Sequence, residues 1–253
     1  MKLDDFDVVL FDLDGTVYYG SKLIDGANET IKFFRDAGKR IYFATNNSTK
    51  TRQQIFEKLL KIGVDCKCDE VLTSGYLAAL YAQQENLQDM YIFGSENLRT
   101  EFEQMGVAYN QTETAENLLI GYNPAMTYEN LTDALQVALH AKQIIACNRE
   151  RIFPGENGRL MPGCGAMTAP IEWCAKRECD VIIGKPSTLM IELISKLEKT
   201  PSYRFLMIGD TYESDIAMAK LAGAKHILIS KQPEYHDTEV VASIGEIITR
   251  FSL

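Results

Sequence analysis

The sequence predicts an α/β fold in which a parallel-sheet core is interrupted by a second, inserted α/β segment. Short apolar runs at 8–11, 41–44, 181–183 and 204–208 are typical of strands that are covered on both faces. Each run ends in polar residues, and segments with helical spacing lie between them. Between the second and third runs lies a further series of strands and helices without acids at its strand ends, which predicts the insertion.

The first strand leads directly into the stretch Asp12-Leu13-Asp14-Gly15-Thr16. Two acids separated by one residue are unusual at the end of a buried strand, because carboxylates avoid each other and avoid the core. Gly15 permits a tight turn, and Thr16 offers a hydroxyl beside which a phosphate or a metal could sit. An isolated pair of this kind is usually a polar loop, but the rest of the chain repeats the arrangement.

The next elements follow from helix signals. A helix over 29–37 is predicted by its apolar face and by Gly38, which ends it. Thr51 and Gln54 fit a capping box for a second helix. The segment 71–73 predicts a short strand.

Polar residues follow the other strands of the predicted core in the same way. In open parallel sheets, ligands bind at the edge formed by the carboxyl ends of the strands. We therefore expect one crevice to collect the residues at these ends, which are Asp12, Asp14, Thr45, Asn46, Asn47, Lys185, Asp210 and Asp215.

Four acids in one crevice require compensation. Two like charges about 4 Å apart repel by roughly 4 kcal/mol at an effective dielectric constant near 20. One lysine cannot neutralise the cluster, which implies a divalent cation, and carboxylate, carbonyl and water oxygens suit Mg²⁺. Because Mg²⁺ is commonly shared with a substrate phosphate, the site is interpreted as a phosphate site.

The inserted series alternates regularly. Strands are predicted at 90–93, 118–122 and 144–146, with helices near 98–105 and over 131–141. The core then resumes through Lys185 and Asp210 and closes with a strand at 227–229.

These motifs together resemble the haloacid dehalogenase (HAD) superfamily: DLDGT, the segment 45–47, the lysine of GKP, and GDTYESD. The segments ATNNST, VLTSGYLAALY and FPGENGRLMPGCGAM resemble its NagD / p-nitrophenyl phosphatase branch, which includes sugar, nucleotide and pyridoxal phosphatases. The resemblance implies a Rossmann-like core over 1–78 plus 180–253 and a large α/β cap over 79–179.

The resemblance also implies residue roles. Asp12 would be the nucleophile that forms an aspartyl-phosphate. Asp14 would be the general acid and then the general base, and its backbone carbonyl would face the metal. Asp210 would ligate Mg²⁺ directly, whereas Asp215 would orient metal-bound water.

Further roles concern the phosphoryl group. Lys185 would neutralise its charge, and Thr45 with the backbone amide of Asn46 would bind its oxygens. Asn46 and Asn47 are also candidates on their own, since amides at the end of a core strand have few other reasons to be there.

Asp14 favours a phosphohydrolase, since family ATPases carry Thr at this position and dehalogenases lack the acid. The expected activity is Mg²⁺-dependent hydrolysis of small phosphate monoesters, with sugar phosphates and nucleoside monophosphates ahead of pyridoxal phosphate. Two alternatives remain open, namely a phosphomutase and a non-catalytic protein that binds a phosphorylated ligand.

Substrate preference is expected to come from the cap, because the core residues recognise only a phosphoryl group. The best candidate is a loop over 148–162, in which Asn148, Arg149, Arg151 and Glu156 could reach a substrate. For each of them singly, a solvated surface position is the better interpretation. Tyr18 and Tyr19 follow the catalytic turn and either contact substrate or pack beneath the cap.

Composition limits the partners. The net charge of −9 argues against broad binding of nucleic acids or acidic membranes. No apolar signal region or membrane-spanning run is visible, so we expect a cytoplasmic protein whose partner is a small phosphorylated metabolite. The cysteines lack zinc-site spacing and are expected to be reduced thiols. A homodimer remains open, since cap-to-cap dimers occur in the family.

Overall fold

The computed structural model describes residues 1–155, 159–232 and 235–251. The strands are β1 (Val8–Asp12), β2 (Tyr18–Tyr19), β3 (Lys22–Leu23), β4 (Arg40–Thr45), β5 (Val71–Thr73), β6 (Met90–Phe93), β7 (Asn117–Ile120), β8 (Gln143–Ala146), β9 (Ile152–Pro154), β10 (Leu160–Pro162), β11 (Val181–Ile182), β12 (Phe205–Gly209), β13 (Lys225–Ile229) and β14 (Glu239–Val241). The α-helices are α1 (Ala27–Asp36), α2 (Arg52–Lys61), α3 (Ser74–Gln84), α4 (Glu96–Gln104), α5 (Tyr128–Ala138), α6 (Gly165–Ala175), α7 (Leu189–Glu198), α8 (Ala217–Leu221) and α9 (Glu246–Phe251).

The chain divides into two compact units. The core unit comprises residues 1–45, 53–72 and 185–253, and the inserted unit comprises residues 46–52 and 73–184. The short segment 46–52, which directly follows β4, therefore belongs with the inserted unit.

The core unit is built on a six-stranded sheet in the order β14-β13-β12-β1-β4-β5. β1 pairs in parallel with β4 on one side and with β12 on the other, and β13 and β14 extend the sheet in parallel beyond β12. The chain builds the sheet outward from β1 first toward β5 and later toward β14. The winding direction therefore reverses at β1, and such a reversal is where open parallel sheets bind ligands.

The strand that carries Asp12 is fixed by its packing. β1 is buried along its whole length, as the apolar run 8–11 predicts, and Asp12 at its end is buried with it. The ring of Phe11 lies 6.1 Å from that of Phe34 on α1 and 6.2 Å from that of Phe43 on β4, measured between centroids. Burying one such side chain stabilises the fold by about 1.5–3 kcal/mol, so the end of β1 has a rigid support.

The inserted unit contains a four-stranded parallel sheet in the order β11-β8-β7-β6. The predicted alternating series is confirmed here, since β6, α4, β7, α5 and β8 follow one another in that order. Apolar residues of β6, β7, α5 and α6 form the core of the unit.

The strand predicted at 181–183 belongs to a different sheet from the one expected. We expected the apolar run 181–183 to join the core sheet, but β11 pairs in parallel with β8 in the inserted unit. The pairing continues through hydrogen bonds from the amide of Ile183 to the carbonyl oxygen of Ala146 and from Gly184 to Cys147, at 2.9 and 2.8 Å. An apolar run indicates that a strand is buried, but it does not specify the neighbouring strand.

The predicted loop over 148–162 is also different in the structure. β9 and β10 within it form an antiparallel hairpin, in which Phe153 lies opposite Met161. Each strand is three residues long, which is too short for a clear alternating pattern. Glu156 lies outside the described residues.

Helix α3, also in the inserted unit, is buried along most of its length. This helix of 11 residues is too short to suggest a membrane span. Of the helices in the described parts of the chain, none has both the length and the apolar composition needed to cross a bilayer.

Candidate active site

Three neighbouring strands of the core sheet end in residues predicted for the site. Asp12 is the last residue of β1, Thr45 is the last residue of β4, and Asp210 directly follows β12. Asp12 and Thr45 are each 7% exposed. The parallel register therefore holds buried polar groups at one edge of the sheet, which few arrangements other than a binding site require.

Lys185 lies at the centre of a buried charge network in the core unit. Its ammonium donates hydrogen bonds to Asp12 Oδ1, to Asp215 Oδ1 at 2.7 Å and to the carbonyl oxygen of Ala44 at 3.4 Å. The side chains of Lys185 and Asp215 are 3% and 1% exposed. Buried charges persist only when partners compensate for the lost water, so these side chains depend on one another.

Asp215 is held by the turn that follows β12. Residues Tyr212–Ile216 form a π-helical turn, in which the amide of Asp215 donates to the carbonyl oxygen of Thr211 at 2.9 Å. In return, the amide of Thr211 donates to Asp215 Oδ2 at 3.1 Å. Both carboxylate oxygens of Asp215 therefore already accept hydrogen bonds from the protein.

Two glycines allow the acids to approach the backbone. Gly15 has a φ of +91°, and a Cβ atom there would lie 2.1 Å from Asp210 Oδ2. A Cβ atom at Gly209 would lie 2.3 Å from Asp215 Oδ2. Any larger residue at either position would displace a carboxylate, so both glycines are part of the site.

The pKa values reflect an excess of negative charge. Burial raises the pKa of Asp12 well above its usual range, Lys185 opposes this shift, and Asp215 and Asp210 add to it. Burial, together with Asp215, raises the pKa of Asp210 to about 6. Burial lowers the pKa of Lys185, but Asp12 and Asp215 outweigh it and leave that pKa above the usual lysine value. One lysine therefore does not neutralise the negative charge of the acids around it.

The residues fit a divalent cation. Asp12, Asp210 and Asp215 each offer an oxygen, and these three atoms lie within 4.8 Å of one another. Asp210 Oδ1 is buried and has no hydrogen-bond partner within the described ranges. An unsatisfied buried oxygen is costly, and a cation with a preference for oxygen ligands would satisfy it and relieve the repulsion.

Asp14 takes a different position from the three clustered acids. It lies in the turn after β1, and its side chain is exposed. Tyr18 Oη donates a hydrogen bond to Asp14 Oδ2 at 3.1 Å. The sequence leaves the role of Tyr18 open and does not predict this contact of its hydroxyl with Asp14.

The two amides predicted after β4 belong to the inserted unit. Asn46 is buried, its Nδ2 donates to Glu150 Oε1 at 2.9 Å, and its carbonyl oxygen accepts from Asn148 Nδ2 at 2.7 Å. Asn47 Oδ1 accepts from the amides of Thr49 and Lys50, each at 2.9 Å, and so shapes the turn. Sequence reasoning missed Glu150, because nothing in its local pattern links it to a residue about a hundred positions earlier.

The two predicted arginines also lie in the inserted unit, next to the β9–β10 hairpin. Arg149 forms an ion pair with Glu172 of α6 at 2.6 Å. Arg151 is exposed. Arg149 therefore has a structural partner, whereas the surface position of Arg151 leaves its side chain accessible to solvent.

Family models match both ends of the chain. Residues 9–108 match a model described as haloacid dehalogenase-like hydrolase, and residues 182–245 match one described as HAD-hydrolase-like. The first match contains Asp12, Asp14 and Thr45, and the second contains Lys185 and the acids after β12.

Individual proteins are similar over nearly the whole chain. Sugar-phosphatase AraL of Bacillus subtilis (strain 168) is 36% identical over 248 residues, which cover 94% of this chain and 91% of the relative. Glycerol-3-phosphate phosphatase of Homo sapiens is 32% identical over 255 residues, covering 89% of this chain and 79% of the relative. The crystal structure of 4-nitrophenylphosphatase from Thermotoga maritima matches with a TM-score of 0.90 at 29% identity and covers 98% of both chains.

Proposed function

The chain belongs to the haloacid dehalogenase-like hydrolase family, in its NagD- and p-nitrophenyl phosphatase-like branch, and on this premise we propose a Mg²⁺-dependent phosphatase of sugar phosphates and related small esters. The protein is a phosphoric monoester hydrolase that acts on small organic phosphates. The proposal adds the cation, the substrate class and the residue roles. It rests on one observation: Asp12 and Asp215 share the buried ammonium of Lys185, while Asp210 Oδ1 has no protein partner in the described ranges.

Asp12 is the proposed nucleophile. One of its carboxylate oxygens attacks phosphorus, the bond from phosphorus to the leaving oxygen breaks, and an aspartyl-phosphate forms. Water then attacks this phosphoryl group and releases inorganic phosphate with the carboxylate regenerated. The fixed end of β1 supports this role, because a rigid nucleophile loses little entropy on reaching the reacting geometry.

Asp14 is the proposed proton donor and acceptor. It gives a proton to the leaving oxygen in the first step and takes one from the attacking water in the second. Asp14 is exposed in the turn after β1, and this accessibility supports proton exchange with a substrate and with water.

The carboxylates of Asp12, Asp210 and Asp215 would hold the cation, together with the backbone carbonyl of Asp14, and Mg²⁺ suits these oxygen atoms. When bound, Mg²⁺ supplies positive charge that attracts the phosphoryl oxygens and favours the ionised form of the acids. Asp210, with its unpartnered oxygen, is the better candidate for direct ligation. Asp215 already accepts two protein hydrogen bonds, which supports the expected role of orienting metal-bound water over direct ligation.

We propose that the phosphoryl oxygens are bound by Lys185, Thr45 and the segment that follows β4. Lys185 would neutralise charge on the phosphoryl group as well as on Asp12. Thr45, the amide of Asn46 and the side chain of Asn47 would donate hydrogen bonds to the remaining oxygens. Positioning and electrostatics would then supply most of the rate enhancement.

The inserted unit is the proposed cap. We predict that this cap, whose boundaries the sequence places near 79 and 179, discriminates among substrates, because the core residues contact only the phosphoryl group. Sugar phosphates and other small polyol phosphates lead the proposed substrates, in keeping with the names of the relatives, and nucleoside monophosphates follow. A cytoplasmic location and a homodimer stay predictions from the sequence.

The function is tested by phosphate release from a substrate panel. The full-length protein is incubated with glucose 6-phosphate, glycerol 3-phosphate, AMP, pyridoxal phosphate and p-nitrophenyl phosphate, in Mg²⁺ and in EDTA. We expect inorganic phosphate from at least one sugar or polyol phosphate, and a loss of about a hundredfold or more in EDTA that Mg²⁺ reverses. Isomerised substrate without phosphate release would indicate a phosphomutase instead. Binding without turnover would indicate a non-catalytic protein.

The hairpin arginines give a prediction about specificity. We expect Arg151→Ala to raise KM for the preferred sugar phosphate by about tenfold, as one charged hydrogen bond is lost, and to change that for p-nitrophenyl phosphate less than about twofold. The measurement is a pair of steady-state titrations. Arg149→Ala tests the other arginine, although the loss of its contact with Glu172 also affects the fold. Arg159→Ala, an exposed arginine of the same hairpin, is the control, and equal losses on both substrates would make the hairpin a structural element.

A further inference from the structure

Two adjacent tyrosines of strand β2 have opposite environments. Tyr18 is 1% exposed and belongs to the apolar core of the core unit, whereas Tyr19 is 70% exposed. The hydroxyl of Tyr18 points out of that core and donates to Asp14 Oδ2 at 3.1 Å. A buried phenol requires a polar partner, and here the partner is the carboxylate assigned to proton transfer.

The position of Tyr18 is fixed from three directions. Its amide donates to the carbonyl oxygen of Leu13 at 3.1 Å, and its own carbonyl oxygen accepts from the amide of Gly15 at 2.9 Å, which ties β2 to the turn that carries Asp14. The ammonium of Lys58 lies 3.6 Å from the centroid of its ring, in cation–π contact. The phenol therefore has little freedom, and it imposes one orientation on an exposed carboxylate that would otherwise sample several rotamers.

We propose that Tyr18 is a positioning residue that orients Asp14 for proton transfer to the leaving group, an inference that rests on the proposed function. The phenol is a donor toward Asp14 Oδ2, so Oδ1 is the oxygen that exchanges the proton. As the bond between phosphorus and the leaving oxygen breaks, its electron pair goes to that oxygen, which takes the proton from Asp14. Asp14 then accepts a proton from the water that attacks the phosphoryl group on Asp12.

The leaving group provides a specific readout for this role. The alkoxide of a sugar or polyol phosphate is a strong base and needs the proton as it departs, whereas p-nitrophenolate is a weak base that departs without it. A misaligned Asp14 should therefore slow the alkyl ester selectively. A general disturbance of the fold, or of the phosphate contacts, would slow both esters alike.

The experiment compares kcat/KM of wild type and Tyr18→Phe for glycerol 3-phosphate and p-nitrophenyl phosphate in the same Mg²⁺ buffer. This parameter reports the steps up to transfer of the phosphoryl group to Asp12. We expect a loss of about tenfold or more on the alkyl ester and less than about twofold on the aryl ester. Tyr203→Phe is the control and should change neither, because Tyr203 is 61% exposed and lies just before the amino end of β12, away from the predicted site residues. Equal losses on both esters, or no loss on either, would overturn the inference.

A double-mutant cycle separates positioning from packing. Asp14→Asn should show the same selective loss on the alkyl ester, and adding Tyr18→Phe to it should cost nothing further, because the residue that Tyr18 orients is already inactive. An additional loss in the double variant would contradict the inference. If Tyr18→Phe does not fold, Tyr18→Met enters the same cycle, since its flexible side chain fills the space without a donor. If glycerol 3-phosphate is not hydrolysed, the best alkyl ester of the panel takes its place. Wild type that releases no phosphate from any ester of the panel refutes the proposed function itself, whereas active wild type with an unchanged ester ratio in the variant refutes only the role of Tyr18.

Discussion

Asp12→Asn is expected to lower kcat/KM for every phosphate monoester by about 10⁴-fold or more, because an amide oxygen is a poor nucleophile and Asp12 is the residue proposed to form the aspartyl-phosphate. The fold should persist. The replacement keeps the size of a side chain that is 7% exposed. It removes one partner of Lys185, but Asp215 still pairs with that lysine, and the repulsion of Asp12 by Asp210 and Asp215 is relieved. In EDTA, the unfolding temperature of the variant should therefore equal or exceed that of wild type.

Two measurements check the Asp12 prediction. Phosphate release gives the loss of turnover, and mass spectrometry of acid-quenched wild type should find the phosphoryl group on the peptide that contains Asp12. Asp36→Asn is the control, since Asp36 is an exposed acid that pairs with Lys32 on the surface of α1. Turnover within tenfold of wild type in Asp12→Asn would assign the nucleophile to another residue.

Lys185→Met is expected to lower kcat/KM by about a thousandfold, through loss of the charge that pairs with Asp12 and is proposed to bind the phosphoryl oxygens. It should also destabilise the metal-free protein by about 3–5 kcal/mol, because Asp12 and Asp215 lose their buried counter-charge. The folded-state pKa of Lys185 lies above the usual lysine value, so its stabilising charge is present throughout neutral pH and is lost only when the pH rises through that raised pKa. Denaturant unfolding in EDTA at neutral pH measures the effect.

Mg²⁺ distinguishes a charge effect from a packing effect in Lys185→Met. A cation at the three acids replaces part of the missing charge, so Mg²⁺ should stabilise the variant more than wild type. Lys220→Met is the control: Lys220 pairs with Asp237 near the surface, and exposed pairs contribute little to stability. A variant with wild-type kcat/KM would remove Lys185 from the catalytic machinery.

Much of the candidate site was predictable because its polar residues lie at the carboxyl ends of apolar strands. The apolar runs before Asp12, Thr45 and Asp210 predict parallel strands, and the edge at which those strands end is fixed once they are parallel. Asp12 and Asp210 are almost two hundred residues apart in sequence, yet the structure brings their carboxylate oxygens within 4.8 Å of each other. The local sequence pattern was enough to predict this proximity, because each residue had only to lie at the end of its own parallel strand.

Other features depended on partners that are distant along the chain. The run 181–183 reads as a core strand, but hydrogen bonds to β8 place it in the inserted sheet. The contact between Asn46 and Glu150 spans 104 positions, and no local pattern predicts it. Tyr18 and Tyr19 are identical in type, and only packing makes one of them buried.

The sequence by itself determined the succession of strands and helices, because apolar periodicity indicates which residues are buried. It also determined which acids, lysine and amides follow the strands, because glycines and acids mark where strands end. Only the tertiary structure decided which sheet β11 joins, which carboxylate oxygen lacks a protein partner in the described ranges, and which tyrosine meets Asp14. The physical reason is that hydrogen bonds and packing between residues far apart in the chain depend on the simultaneous placement of all their neighbours.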